Sequence, residues 1–144
     1  MINTDQSWWI FALLSAFFAA LTTVFAKVGV ESVSSNLATA IRTVVILLVA
    51  WGIVWAKGEW QGWADISQKT LLFLVLSGLA TGLSWLCYFR ALQLGPASLV
   101  APIDKSGLVL IVIFSILFLG EPFTVKAVLG TVLILAGTLG LLGR

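Results

Sequence analysis

Five stretches of about twenty mostly apolar residues, at about 8–28, 36–56, 70–89, 97–119 and 123–142, take up nearly the whole chain. A helix rises about 1.5 Å per residue, so each stretch is long enough to cross the roughly 30 Å of hydrocarbon in a bilayer. Within that layer a backbone must satisfy its own polar groups, which leaves helices or closed barrels. The runs are too long and too evenly apolar for barrel strands. The fold class read from the sequence is therefore an all-α membrane protein with five transmembrane helices. Composition agrees: 60% of the residues are hydrophobic, 10% are charged, and the mean hydropathy is +1.12. A soluble domain of this size needs far more charged surface.

The same composition excludes several classes of function. A net charge of +2, dispersed along the chain, is no footprint for nucleic acid. The absence of histidine removes imidazole metal sites and histidine proton relays, so neither metal nor cofactor is expected. Cys87 stands alone in an apolar run and reads as a packed thiol. The N-terminal run from Met1 to Ser7 lacks the basic region of a signal peptide, so the first apolar stretch reads as a retained helix. Paired carboxylates or an activated nucleophile at a defensible spacing are missing, and no enzyme is expected.

Each span carries polar groups at helical spacing. The first has a small-residue stripe, Ala12, Ala16, Ala19 or Ala20, then Thr23 and Lys27, which allows close helix approach. Lys27 either snorkels outward or faces a cavity. A polar connection from Glu31 to Asn36 supplies N-cap candidates, and Ser35, Thr39 and Arg42 then share one face of the second span. Arg42 lies about 10 Å inside that helix, too deep for easy snorkelling, so an internal partner is expected. The connection 57–69 contains Trp60 and Trp63 and belongs at headgroup level, with a substrate loop as the other reading. In the third span Ser77, Thr81, Ser84 and Tyr88 form a hydroxyl stripe, flanked by Gly78, Gly82 and Trp85, and Arg90 closes the segment. Gln93-Leu94-Gly95-Pro96 reads as a turn. Gly120-Glu121-Pro122 ends the fourth span and starts the fifth, with proline near the first helical position. Ala136, Gly137 and Gly140 offer a helix-contact face in the fifth span.

The fourth span holds the most unusual stretch, Val100-Ala101-Pro102-Ile103-Asp104-Lys105-Ser106-Gly107. An acid and a base inside an apolar run cost about 2.5–3.5 kcal/mol each on insertion scales, and such residues line bundle interiors or wet cavities. Pro102 removes a backbone donor and Gly107 loosens the next turn, so a discontinuous helix is expected. With alternating crossings, Lys27, Arg42, Arg90, Asp104 and Lys105 fall on one half of the membrane. Six of the seven tryptophans fall on the other. Arg42 and Asp104 share a depth and are expected to couple. The competing reading is an ion-pair network that only fixes helix packing. Flanking basic residues tie, with Lys57, Lys69 and Lys126 against Lys27, Arg90 and Arg144, so the positive-inside rule favours neither orientation.

The run from Tyr88-Phe89-Arg90-Ala91-Leu92-Gln93-Leu94-Gly95-Pro96-Ala97-Ser98 through Val100-Ala101-Pro102, and Leu119-Gly120-Glu121-Pro122-Phe123-Thr124 with the apolar tail from Gly130 to Gly140, resembles the EamA family of the drug/metabolite transporter superfamily. Common members resemble two such units fused with inverted topology. This chain holds one unit over 1–144 and resembles the single-domain, five-helix branch. The resemblance implies a secondary transporter of a small metabolite in the cell (inner) membrane, half of an inverted repeat completed by a second copy in an antiparallel homodimer. Lys27, Thr39, Arg42, Ser84, Trp85, Tyr88, Arg90, Asp104 and Lys105 are the candidate substrate and coupling-ion residues. Cations outnumber the acid in this set, which favours an anionic or zwitterionic substrate. Two alternatives stand beside it: a small-multidrug-type exporter of organic cations, and a non-transporting accessory membrane subunit.

Overall fold

A computed structural model describes residues 7–122 and 124–142. The polar N-terminal run before Ser7, the expected start of the last span at Phe123 and the flanking charge of Arg144 lie outside these residues. The described chain is helical throughout, with α1 over Trp8–Gly29, α2 over Ser35–Ala56, α3 over Gln68–Leu94, α4 over Ala97–Lys105, α5 over Gly107–Leu119 and α6 over Val125–Leu142. Four stretches are long and apolar enough to cross a bilayer, namely α1, α2, α3 and the broken pair α4–α5 taken together as Ala97–Leu119. The fifth, α6, is a shorter apolar helix of 18 residues.

The helix ends follow local chemistry. Ser34, extended at φ −64° and ψ 143°, caps α2 by accepting the Leu37 N–H. Ser67 does the same for α3, accepting from Thr70 N at 3.1 Å. At its other end α3 runs on to Leu94, so Arg90 lies inside the helix and does not close it, and Gln93 and Leu94 are helical. The turn is confined to Gly95 and Pro96. Nothing between Phe89 and Leu94 disfavours a helix, and Pro96 is what forbids the residue before it from continuing one. Gly120 ends α5 in a left-handed conformation, φ 67°, as its lack of a Cβ allows. Pro122 is not a first helical residue: α6 begins at Val125, after Thr124. The connection between α2 and α3 winds into a 3₁₀ helix, Glu59–Asp65, and sets Trp63 against Trp51 with ring centroids 5.8 Å apart.

The chain divides into two compact units, one ending at Leu94 and one starting at Gly95. In the first, α3 packs against both α1 and α2. Its buried residues, Ala26, Val30, Ser35, Thr39, Phe89 and Leu92, all come from the end of α1, the start of α2 and the end of α3. The tight packing is at that end. The other halves of these helices present large apolar side chains outward, as lipid-facing surface does. Ala12, Ala16, Gly78 and the residues around them are part of that open surface, and a Cβ at Gly78 or Gly82 would meet nothing within 4 Å.

In the second unit α6 packs on α4 and α5. The packed side of α6 is Val128, Thr131, Leu135 and Thr138, while Ala136, Gly137 and Gly140 are exposed. That small-residue face, expected to serve association between copies, stays open, and a different face packs within the unit. A hydrogen bond decides the matter: Thr138 Oγ1 donates to the Pro102 carbonyl at 3.2 Å as well as to Ile134 O at 2.9 Å.

Candidate functional site

The packed end of the first unit is built from side chains that reach across to backbone. Leu92 lies in the last turn of α3, where carbonyls lack intrahelical partners and the helix dipole is negative. Lys27 Nζ donates to that carbonyl at 2.7 Å, so its charge is turned to a neighbouring helix end and not outward. Gln93 donates from Nε2 to Val30 O at 3.2 Å and Val33 O at 3.0 Å, tying the end of α1 and its connection to α3. Arg90 Nη1 donates to Gln93 Oε1 at 2.8 Å, which orients that amide. One turn deeper the hydroxyls of Thr23 and Tyr88 meet at 2.8 Å.

Arg42 is held differently. Its guanidinium carbon lies 4.6 Å from the centroid of the Trp85 ring and 4.9 Å from that of Phe89. These rings are one helical turn apart on α3 and form neighbouring faces for one cation. Ring faces take up the flat side of a guanidinium and leave its in-plane N–H donors for other acceptors. Arg42 borders a groove of about 440 Å³, lined also by Thr22, Phe25, Gly29, Ile41 and Phe89 among others. A second, shallower depression of about 760 Å³ lies over Ser34, Asn36, Cys87, Arg90 and Gln93. Thr39 is buried and spends its hydroxyl on its own helix, donating to Ser35 O at 2.9 Å. Ser84 is exposed on α3.

In the second unit the expected discontinuity is present and mild. Ser106 separates α4 from α5 while keeping right-handed helical angles, φ −60° and ψ −21°. Its N–H donates three residues back, to Ile103 O at 3.0 Å, and Val109 N repeats the step to Ser106 O at 3.1 Å. This is a 3₁₀-like tightening of the helix. The Pro102 carbonyl is the one that receives Thr138. Asp104 and Lys105 occupy the last turn of α4, where Lys105 Nζ sits 3.2 Å from Asp104 Oδ2. Both side chains are substantially exposed, so this pair of neighbours contributes little to stability.

The structure therefore gathers Lys27, Arg42, Trp85, Tyr88 and Arg90 at one end of the first unit, and joins Asp104 to Lys105 in the second. Sequence reasoning missed Phe89 and Gln93. An aromatic pair four residues apart, in a chain with a deep arginine, was the available signal for Phe89. Gln93 gave none beyond being polar at the end of an apolar run.

A family model described as the EamA-like transporter family matches residues 6–143. Among curated proteins, the chain is 59% identical over 135 residues to an "Uncharacterized transporter in cobO 3'region" of a Sinorhizobium species, covering 94% of this chain and 96% of that protein. It is 31% identical over 134 residues to an uncharacterized protein of Methanocaldococcus jannaschii, covering 89% of this chain and 90% of the relative. No solved structure matches. The family match spans nearly all of the described helices, and with their apolar lengths it makes the chain a multi-pass integral membrane protein of the EamA-like transporter family.

Proposed function

We propose that the chain is a secondary transporter that moves a small anionic or zwitterionic metabolite across the cell membrane, and that it works as an antiparallel homodimer. On this reading the 144 residues are one EamA-like unit, and a second copy supplies the other half of an inverted repeat. The observation that carries the proposal is the seat of Arg42. A charge placed about 10 Å along a membrane helix costs roughly 2.5–3.5 kcal/mol on insertion scales. Cation–π contact with Trp85 and Phe89 returns about 2 kcal/mol when desolvated. A lock serving only packing would consume the guanidinium's donors on a carboxylate. Ring contacts hold it beside a groove without a carboxylate partner in the first unit, which suits a site that must bind and release.

Lys27 and Arg90 add positive charge at the same end of the first unit, which supports an anionic group on the substrate. Asp104 is the candidate proton carrier: its counter-ion Lys105 is the exposed residue beside it, and protonation of the acid would free that lysine. The same pairing disfavours the exporter of organic cations, which needs an acid without a cationic partner. No catalytic step is assigned to the chain.

The test is flux in proteoliposomes containing the purified chain alone. Substrate-driven counterflow and acceleration by a proton gradient are expected. In Asp104→Asn the amide keeps shape and hydrogen bonding but exchanges no proton. Gradient-driven flux should collapse while exchange between two loaded compartments persists. Undiminished gradient-driven flux through folded Asp104→Asn protein would remove Asp104 from the coupling step, and absence of all flux in the lone chain would point to an accessory subunit.

A further inference from the structure

Within the first unit Arg42 has two ring contacts and no hydrogen bond among the described residues. One threonine on the same groove is also exceptional. Thr23, Thr39, Thr43, Thr81, Thr131 and Thr138 each donate to the carbonyl four residues back in their own helix. Thr22 lines the groove without such a bond among the described residues. The remaining wall is apolar, from Phe25, Ala26, Gly29, Val33, Ala38, Ile41 and the buried ring of Phe89. A space of about 440 Å³ lies within the range occupied by metabolite-sized ligands. The groove thus offers one fixed cation, one open hydroxyl and an apolar lining.

We propose that this groove between α1 and α2 binds a small monocarboxylate with an apolar body, its carboxylate held by the Arg42 guanidinium and its body against Phe25, Ile41 and Phe89. The charge count selects a single negative charge. One cation in an apolar wall neutralises one anion, and a second negative charge there would be desolvated without a partner. The planar fork of an arginine matches a carboxylate in two parallel hydrogen bonds. Contact with Trp85 and Phe89 holds the guanidinium at the groove and limits how far it can swing. Thr22 supplies a hydroxyl that donates to the carboxylate or accepts from a donor beside it. Phe25 and Ile41 are more than half exposed and form the rim. This inference deepens the transport reading by naming a substrate class, and rests on it only for calling the ligand a substrate.

Binding is measured on the purified full chain in nanodiscs of phosphatidylcholine, by calorimetric titration and by ligand-induced thermal stabilisation. The probes are 3-phenylpropionate, its neutral amide, phenyl phosphate as a dianion, and acetate as an anion without the apolar body. The phenylpropionate should bind, and the other three should bind at least about tenfold more weakly, the scale of one charge-assisted hydrogen bond or one buried ring. Arg42→Gln should lower phenylpropionate affinity by a similar factor. Because that variant can disturb packing against Trp85, Gly29→Leu is the second. A Cβ at Gly29 meets nothing within 4 Å, so the longer side chain enters the groove without moving the backbone, and affinity should again fall at least about tenfold. Equal binding of the amide, tighter binding of phenyl phosphate, or unchanged affinity in Gly29→Leu would each overturn the proposal. So would loss of binding when phosphatidylglycerol replaces phosphatidylcholine, because a lipid would then be the occupant. Binding without flux in proteoliposomes sinks the transport reading and leaves the site standing. Proton-driven flux of other solutes with no phenylpropionate binding does the reverse.

Discussion

The two units solve the same problem, holding apolar helices together in a layer that gives no hydrophobic drive, by opposite means. The first uses long polar side chains that cross between helices: Lys27 to Leu92, Gln93 to Val30 and Val33, and Tyr88 to Thr23. The second uses a short hydroxyl on a carbonyl beside a helix irregularity, Thr138 to Pro102. Its charged residues, Asp104 and Lys105, pair with each other across one peptide bond. Long side chains can change partners more readily than a short hydroxyl that is also bonded to its own helix. The contrast places adaptable polar contacts in the first unit and leaves the second an exposed acid close to a tightened turn.

The comparison is broken most directly at Gln93. Gln93→Leu keeps the volume but withdraws the donor from two carbonyls, one of them on Val30, which is 1% exposed. Leaving such groups unmet costs about 1–3 kcal/mol each. A loss of roughly 2–4 kcal/mol in unfolding free energy, measured in mixed detergent micelles, is expected by the same rule. Faster hydrogen exchange over the α1–α2 connection should accompany it. If stability and exchange are both unchanged, the crossing side chains do not hold the first unit.

Thr138→Val makes the corresponding change in the second unit. Valine matches the shape and lacks the hydroxyl, so the Pro102 carbonyl loses its partner on α6. Interhelical hydrogen bonds in membranes average about 0.6 kcal/mol and reach about 1.7. A loss near 1 kcal/mol is expected, smaller than for Gln93→Leu. Equal losses at the two positions would erase the distinction between the units.

How much of this arrangement is legible in sequence depends on the kind of interaction. The spans are legible because bilayer thickness sets a length that any apolar run can be tested against. The polar faces of α2 and α3 are legible because helical spacing puts Arg42 and Tyr88 on defined sides. Partners are not, since spacing within one helix says nothing of which neighbour it meets. Arg42 thus reads as a residue in need of an internal partner, and its spacing does not reveal that rings of α3 meet it. The small residues Ala136 and Gly140 read as a face for contact between copies, and inside the unit α6 packs through Thr138 and leaves them outward. In sequence α3 ends too early because Arg90 reads as a boundary charge, whereas its side chain serves Gln93 within the helix.

The smallest effect concerns Tyr88 and Thr23, and it separates packing from function within the first unit. Thr23 Oγ1 donates to Ala19 O at 3.0 Å, and it meets Tyr88 Oη at 2.8 Å. Tyr88→Phe therefore leaves the threonine hydroxyl satisfied by its own helix, and removes only the contact between helices. A double-mutant cycle with Thr23→Val should give a coupling of about 0.6 kcal/mol, the average for such bonds. A coupling near zero would show that the two hydroxyls do not meet in the membrane. The functional arm is independent of that number. If Tyr88 only joins α3 to α1, flux per folded molecule in Tyr88→Phe should stay within about twofold of the parent, in keeping with so small an energy. If the tyrosine hydroxyl touches the substrate, flux should fall by tenfold or more at nearly unchanged stability, because an interaction made only during transport leaves no mark on unfolding. Thr23→Val decides between the two: a structural role predicts that it matches Tyr88→Phe in flux, and a substrate contact predicts that it does not.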